Sequence, residues 1–299
     1  MSKPTEGRII ASYGRHYTVE MTDGTLCKCF PRGKKAGAAV GDYVTISRQG
    51  ADEGRIESIA PRTNLLYRSD EMRSKQFAAN VDQLLIVVAV APKFSEDLTG
   101  RALAGAWSAG IEPLIVLNKV DLLDGVALAR ARLAPVANLG VPIIEACAHE
   151  VDATKAALLP LLAGKTSLLL GQSGMGKSTL LNALVPTALA ATREHSVALD
   201  MGKHTTTSTH LYHLPEGGDL IDSPGFQAFG LQHLTQEDIV RGFPEFLPLV
   251  PSCRFYNCMH LHEPGCGVRE ALEKGQIDAD RHALYARIVA ENLAGRDKY

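Results

Sequence analysis

The pattern of apolar and polar positions changes near residue 81. Before that point the chain carries short segments in which apolar and polar residues alternate, separated by turns that contain Gly and Asp. After it, apolar residues form continuous runs rich in Val, Ile and Leu, and these runs alternate with helical stretches. Alternation predicts half-buried strands, whereas continuous runs predict parallel strands that are buried on both faces. The sequence therefore predicts an all-β unit followed by an α/β domain.

Residues 1–62 are predicted to form a small OB-fold barrel. Turn residues separate five β-rich segments, at 7–13, 17–21, 25–30, 42–46 and 54–59. Such barrels are a common platform for single-stranded nucleic acid or RNA, and Arg32, Lys34 and Lys35 form a basic loop between two strands. An SH3-like barrel that serves protein contacts fits this stretch equally well. Residues 63–80 are expected to be a mobile basic linker.

A glycine-rich loop, GQSGMGKST, joins a predicted strand at 166–170 to a predicted helix. The pattern G-x-x-x-x-G-K-S in this context predicts a phosphate loop, because its glycines let successive backbone N–H groups point at phosphate oxygens. The helix N-terminus adds its positive dipole end. Lys177 is expected to reach the β- and γ-phosphates, and the Ser178 hydroxyl to ligate Mg²⁺. The predicted nucleotide-binding residues here are Gly171, Gln172, Ser173, Gly174, Met175, Gly176, Lys177, Ser178 and Thr179.

A second motif, N-K-V-D at 118–121, follows the predicted strand at 113–117. At the carboxyl end of a strand, N-K-x-D is the guanine-reading element of GTPases. Guanine offers N1–H and its N2 amino group as paired donors, which one carboxylate can accept and which adenine cannot supply. Asn118 would tie this loop to the phosphate loop, and the stem of Lys119 would lie along the base. The predicted base-binding residues are Asn118, Lys119, Asp121 and, after the strand that follows, Cys147 and Ala148.

Two segments after the phosphate loop are expected to sense the γ-phosphate. The first, G-K-H-T-T-T-S, contains Thr206, the predicted Mg²⁺-sensing threonine of switch I. The second, D-S-P-G, places Asp222 to hold Mg²⁺ through water and the Gly225 amide to meet the γ-phosphate at the start of switch II. In isolation, a threonine-rich loop and a D-S-P-G turn would predict neither role.

The order of these motifs is reversed relative to ordinary GTPases. Those run phosphate loop, switch I, D-x-x-G and N-K-x-D, whereas here N-K-V-D comes first. A sheet can close wherever the chain is cut, so the sequence predicts a circularly permuted GTPase domain over residues 81–236. Switch II then continues directly into the C-terminal segment, and its movement would pull on whatever follows Phe229.

The C-terminal segment, 237–299, is predicted to be a small helical unit held by a metal ion. The pattern C-x₄-C-x-H-x₅-C supplies three thiolates and one imidazole, enough for a closed tetrahedral Zn²⁺ site and hence a structural one. His262 is a competing nitrogen donor, and the spacing does not decide between the two histidines. The predicted ligands are Cys253, Cys258, His260 and Cys266.

Composition narrows the setting further. The 299 residues are 45% hydrophobic and 21% charged, as in ordinary soluble proteins. The formal net charge of −2 gives no global attraction to nucleic acid, so any such surface must be local. No apolar run reaches the length of a membrane span, and no signal-peptide pattern opens the chain. A cytoplasmic protein without membrane contact is expected, and nothing demands more than a monomer.

Together these residues resemble one family, the ribosome small-subunit-dependent GTPase A family (RsgA, or YjeQ). The resemblance spans nearly the full chain and includes 78–82, 118–121, 171–178, 204–207, 222–226 and 253–266. It implies an N-terminal OB domain, a permuted GTPase core and a C-terminal zinc domain, and it favours His260 over His262 as the ligand. It also implies GTP hydrolysis that is activated by the 30S subunit, late in maturation of that subunit, with contacts to 16S rRNA.

Catalysis is expected to rest on positioning and charge neutralisation by Lys177, Thr206, Gly225 and Mg²⁺. The position after D-x-x-G, where many GTPases carry Gln, holds Phe, which cannot orient water. His204 is therefore the candidate water-positioning residue once the ribosome engages, and Gln227 is a weaker one. A role for His204 in ordering switch I alone is an equal alternative.

Two other classes of protein fit part of the pattern. An ATP-dependent P-loop kinase would use the phosphate loop but would leave the N-K-V-D motif without a purpose. Competition between GTP and ATP distinguishes this class. A nucleotide-propped RNA-binding module without turnover would release no phosphate even with 30S subunits.

Overall fold

The N-terminal strands close into a barrel. The fold comes from a computed structural model, which describes residues 5–31, 37–50, 52–69, 74–186, 188, 208–223 and 229–296. The barrel strands are β1 (Thr5–Ser12), β2 (Tyr17–Met21), β3 (Leu26–Pro31), β4 (Tyr43–Arg48) and β5 (Glu53–Ile59). The ring β1-β2-β3-β5-β4 closes through the pairing of β4 with β1, and only the β3–β5 pair is parallel. This five-strand closure confirms the predicted OB-type barrel.

Of residues 63–80, expected as a mobile linker, the described parts (63–69 and 74–80) instead contribute two paired antiparallel strands. These strands are β6 (Leu65–Ser69) and β7 (Ser74–Ala79). Leu66 and Phe77 are buried, and the Phe77 ring stacks on Phe229 with centroids 5.6 Å apart. The linker prediction is wrong because these apolar residues are widely spaced among charged ones, so that only their tertiary partners reveal that they belong to a core.

The α/β domain is built on a mostly parallel sheet. Its strands are β8 (Gln83–Ala89), β9 (Glu112–Asn118), β10 (Ile143–Ala146), β11 (Thr166–Gly171), β12 (Thr209–His213) and β13 (Asp219–Asp222). The order is β10-β9-β8-β11-β13-β12, with only β12 antiparallel to its neighbour. Every residue of β8 and β11 is buried, as the continuous apolar runs predict. The strand before the phosphate loop therefore lies at the centre of the domain.

In the described part of this domain, four helices connect the strands: α1 (Glu96–Ser108), α2 (Leu123–Ala137), α3 (Val151–Leu162) and α4 (Lys177–Leu184). The beginning of α1 is fixed by local interactions, because Ser95 caps the helix and Glu96 and Asp97 complement the positive end of its dipole. Its buried face includes Gly100, where a Cβ would lie 2.5 Å from Leu284 of the C-terminal helix. Glycine at this position therefore lets the C-terminal helix pack closely on α1.

The C-terminal unit contains the short helices α5 (Gln236–Arg241) and α6 (Gly267–Glu273) and the long helix α7 (Ala279–Arg296). A capping box formed by Thr235 and Asp238 begins α5. The helices α6 and α7 agree with the small helical unit predicted for this segment. No helix in the described part of the chain has the length and hydropathy that crossing a membrane requires.

The barrel and the α/β sheet form one continuous hydrogen-bonded ladder. β1 pairs with β12, Ala11 opposite His210 and Ser12 opposite Thr209. Arg8 of β1 contacts Asp219 of β13 at 2.5 Å. His213 of β12 adds a second bridge, with Nδ1 2.7 Å from Asp219 and Nε2 2.9 Å from Glu20 of the barrel. Main-chain pairing and charge together fix the barrel to the sheet.

The contacts of His213 with Asp219 and Glu20 predict that the stability of the protein depends on pH. Burial lowers the pKa of His213, but hydrogen bonds and charge from Asp219 and Glu20 outweigh it, so the pKa is raised. A raised folded-state pKa contributes stability below the ordinary value of about 6.5 and loses it as the pH rises through the folded value. We expect His213→Gln to lower the melting temperature more near pH 6 than near pH 8.5, modestly, because the side chain is 56% exposed.

Melting temperatures of the unaltered chain and of His213→Gln, taken between pH 6 and pH 8.5, measure this loss of stability. His16→Gln is the matched control. Burial and the charge of Lys28 lower the pKa of His16, so its pH dependence should have the opposite sign. Equal losses from His213→Gln at both pH values would contradict a charged bridge.

Candidate functional site

The phosphate loop lies at the carboxyl end of the central strand. β11 ends at Gly171, and α4 begins at Lys177. Gly174 and Gly176 adopt left-handed backbone conformations, with φ of 81° and 85°, which side chains rarely tolerate. A Cβ at Gly176 would also collide with Nδ2 of Asn118. Glycine at this position therefore lets the N-K-V-D motif approach the phosphate loop.

Asn118 joins three parts of the site. Its Nδ2 donates to the carbonyl oxygen of Met175 in the phosphate loop at 2.9 Å, and its Oδ1 accepts from the N–H of Ala148 at 3.1 Å. The residue is only 1% exposed, so both hydrogen bonds are shielded from water. The structure thus brings together the phosphate loop, the N-K-V-D motif and the loop after β10.

Lys119 supports the same junction from the other side. It has a φ of 63°, and its Nζ donates to the carbonyl oxygens of Gly174 at 2.7 Å and Ala91 at 2.8 Å. The stem of the side chain therefore bridges the two loops that flank the predicted base site. Asp121 is exposed in the turn before α2, where its carboxylate is accessible to a ligand.

The loop after β10 is shaped by its own hydrogen bonds. The carbonyl oxygen of Cys147 accepts from the N–H of Glu150 at 2.7 Å and from Oγ1 of Thr154 at 2.8 Å. Cys147 and Ala148 are both buried. These bonds hold the Ala148 amide in place for Asn118.

Lys177 and Asp222 meet at the ends of β11 and β13. Nζ of Lys177 donates to the carboxylate of Asp222, and the two side chains are largely buried. Burial, together with the charge of Asp222, raises the pKa of Tyr212 to about 12. Ser178 is exposed in the first turn of α4. Two of the groups expected to meet phosphate and Mg²⁺, Lys177 and Asp222, therefore lie in direct contact.

A Cys₃His cluster occupies the loop between α5 and α6. The ligand atoms of Cys253, Cys258, His260 and Cys266 all lie within 4.8 Å of one another. Nδ1 of His260 is 3.5 Å from Sγ of both Cys253 and Cys266, and these two sulfurs are 3.9 Å apart. Tetrahedral Zn–S bonds of about 2.3 Å would place sulfurs about 3.8 Å apart. The donor set therefore fits Zn²⁺, and His262 does not belong to it.

The chain matches known proteins along its whole length. The family model described as RsgA GTPase matches residues 59–232. A protein of Bordetella pertussis, named "Small ribosomal subunit biogenesis GTPase RsgA", is 71% identical over 296 residues, 99% of both chains. A Burkholderia pseudomallei protein of the same name is 58% identical over 96% of this chain and 92% of its own.

The chain belongs to the RsgA GTPase family.

Two solved structures share the architecture of this RsgA-family chain. YjeQ from Thermotoga maritima superposes with a TM-score of 0.73 at 30% identity, over 97% of this chain and 99% of its own. YloQ, described as a circularly permuted GTPase, superposes with a TM-score of 0.70 at 29% identity, over 99% and 96%. The predicted permuted GTPase core is thereby confirmed.

Several predicted catalytic positions of this GTPase lie outside the described residues. They are His204, Thr206, Gly225 and Gln227, and with them lie Phe226, which replaces the usual Gln, and the basic loop of Arg32, Lys34 and Lys35. Described residues border the two predicted switch segments, after the first and before the second. Ser208 hydrogen-bonds His210 at the start of β12, and Asp222 ends β13.

Glu263 is a functional residue that sequence reasoning missed in this RsgA-family chain. Its carboxylate accepts backbone N–H bonds from Met259 at 3.0 Å, Leu261 at 3.0 Å and His262 at 3.1 Å. Burial opposes ionisation, but these amides outweigh it and lower the pKa to about 2. His260, inside the same turn, has a φ of 60°. The position of Glu263 within the E-P-G-C stretch was the available signal, but its acceptor role depends on the folded loop.

Gln172 makes a second unanticipated contact. Its Oε1 accepts from the backbone N–H of Ser95 at 2.7 Å. Ser95 is also the N-cap of α1, with Oγ accepting from the N–H of Leu98 at 3.2 Å. The phosphate loop is thus attached to the beginning of α1, a connection that no local pattern encodes.

Proposed function

We propose that this RsgA-family GTPase acts in biogenesis of the small ribosomal subunit in the cytoplasm, and that the 30S subunit stimulates its hydrolysis of GTP. The names of its relatives support the process. The observation that carries the nucleotide assignment is Asn118, whose two hydrogen bonds join the phosphate loop and the base loop into one pocket.

Within this pocket we infer the following roles. The amides of residues 171–176 and Lys177 bind the phosphates, while Asp121 accepts from N1–H and the N2 amino group of guanine. Lys119 and the Ala148 amide border the base. Ser178 and Asp222 hold Mg²⁺, which supplies charge neutralisation on the β- and γ-oxygens. Because Lys177 and Asp222 are in contact, nucleotide binding should separate this pair, so that the lysine faces phosphate.

Water attack requires a positioning group that the D-S-P-G segment lacks. We assign this role to His204, with Thr206 and the Gly225 amide contacting the γ-phosphate side. The free protein should therefore turn over slowly, because switch I must be ordered by the subunit before His204 can act.

The Cys₃His cluster supports a structural Zn²⁺ ion. The four donors close the coordination shell and leave no position for substrate. Tyr285 of α7 donates to the carbonyl oxygen of Met259 at 2.9 Å, and Nε2 of His282 lies 2.8 Å from the backbone carbonyl oxygen of His260. The ion would therefore fix the loop on which α7 rests.

We divide the chain into an OB domain (1–62), a connecting segment (63–80) that contributes the paired strands β6 and β7, a permuted GTPase domain (81–236) and a zinc domain (237–299). The OB barrel is the proposed contact to 16S rRNA, since such barrels commonly bind RNA. The chain is proposed to act as a monomer on the subunit.

The decisive experiment measures phosphate release from GTP with and without purified 30S subunits. We expect stimulation of about 10²-fold or more, with 50S subunits as the control.

His204→Ala should lower the stimulated rate by about 10²-fold while leaving GDP affinity unchanged. An unchanged rate with 30S subunits would refute subunit activation, and undiminished stimulation of the variant would remove His204 from water positioning.

A further inference from the structure

The first two turns of α1 contact two functional units. On one side, the N–H of Ser95 donates to Oε1 of Gln172 in the phosphate loop at 2.7 Å. Because Ser95 caps α1, this bond attaches the loop to the first turn of the helix. The phosphate loop is thereby anchored on a regular element as well as on its own strand and helix.

On the other side, α7 holds α1 by ion pairs. Arg101 donates to both carboxylate oxygens of Glu291, at 2.6 and 2.8 Å, and to Asp97 at 2.8 Å. Arg287 donates to Asp97 at 2.6 Å. The Arg101 side chain is only 11% exposed, and a two-pronged guanidinium–carboxylate pair fixes orientation as well as distance. Leu284 of the same helix packs against Gly100 of α1.

The distance between the two contacts is short. Six residues separate Ser95 from Arg101, which corresponds to about 9 Å along a helix. A helix transmits displacement over such a length because its backbone hydrogen bonds keep it rigid. A shift of α7 would therefore move Ser95 and, through it, Gln172.

We propose that the zinc domain helps to hold the phosphate loop in its binding conformation, with Gln172 as a positioning residue and the Arg101–Glu291 pair as its support. The inference rests on the proposed role of the phosphate loop. It provides a route between the zinc domain and the nucleotide that does not pass through switch II. By reciprocity, a nucleotide in the loop should also stabilise the packing of α7 on α1.

The test compares release of a fluorescent GDP analogue from the full chain and four variants: two single variants, their double variant and a control. Gln172→Met removes the acceptor and keeps the length, and Glu291→Gln removes the charge opposite Arg101. Each should speed GDP release by about two- to tenfold. The double variant should show less than the product of the two effects, because both act through α1. Glu273→Gln removes a surface partner of Arg269 on α6 and serves as the matched control, with release unchanged.

The outcomes distinguish an effect on the position of the phosphate loop from a general loss of protein stability. If Glu291→Gln lowers the melting temperature but leaves GDP release unchanged, the proposal is wrong. If that variant unfolds the zinc domain, Arg287→Gln, whose side chain is 52% exposed, replaces it under the same criterion. Failure of the unaltered chain to bind the analogue would instead refute the proposed nucleotide site.

A reciprocal measurement adds a readout that stability alone would not change. GDP should slow amide hydrogen exchange in residues 279–296 of the unaltered chain, and this protection should be weaker in Gln172→Met at saturating GDP. Equal protection in the two proteins would overturn the route through Gln172.

Discussion

Replacing Asp121 with Asn is expected to change the base preference of this GTPase from guanine to xanthine. Guanine presents two donors to the Asp121 carboxylate, each bond being worth about 1.5–3 kcal/mol when the acceptor is charged. Asn keeps one accepting oxygen but turns its amino group towards the second donor, so that losing one charged hydrogen bond and setting two donors against each other predicts a fall in GDP affinity of about 10²-fold or more. Xanthine carries a carbonyl oxygen where guanine has its amino group, so an Asn side chain can donate to that oxygen and accept from N1–H.

Titration calorimetry with GDP and XDP measures this exchange of preference. Asp124→Asn is the matched control, because Asp124 is also exposed, three residues further along in the first turn of α2, and should leave GDP affinity intact. Asp121→Asn with unchanged GDP affinity would show that another group reads the base. A loss of GDP affinity without a gain for XDP would point instead to a collapsed pocket.

Removing one zinc ligand is expected to unfold the zinc domain. Structural Zn²⁺ binding contributes about 10 kcal/mol or more, which exceeds what a small unit of this kind gains from its own core. Cys258→Ser and His260→Ala should therefore lose the bound ion and detach α7 from α1. The single Trp of the chain, Trp107 on α1, reports the detachment, because the guanidinium of Arg281 on α7 lies 5.5 Å from its ring.

Elemental analysis measures the loss of zinc, and the emission wavelength of Trp107 measures the detachment of α7 from α1. His262→Ala is the control, since His262 lies outside the cluster and should retain both the ion and the emission of the unaltered chain. Zinc retained by His260→Ala and lost by His262→Ala would reverse the ligand assignment. Full-length protein that contains no zinc yet keeps its Trp107 emission would contradict a structural metal.

Motifs with a fixed local geometry could be predicted from the sequence. The phosphate loop, the N-K-V-D motif and their reversed order follow from short patterns whose chemistry needs those residues at that spacing. The same holds for the barrel, since alternation and turn residues define its strands. In the zinc loop, spacing alone left His260 and His262 open, and the structure places His260, which has a positive φ, in the cluster.

The contacts between domains could not be predicted in this way. Arg101 and Glu291 are separated by 190 residues, and no periodicity links them. The pairing of β6 with β7 was missed for a similar reason, since Phe77 is buried by Phe229, far along the chain. Glu263 and Gln172 accept from backbone N–H groups, which every residue except proline carries, so that their partners are defined only by the folded loop.

The ladder between β1 and β12 also bears on how the GTPase core can be produced alone. A version that begins after residue 62 would lack β1, and β12 would become the open edge of the sheet, where Thr209 and His210 lose their pairing with β1. Open edges of this kind recruit strands from other molecules. An isolated core would therefore need a charged or proline-bearing replacement at that edge to stay soluble.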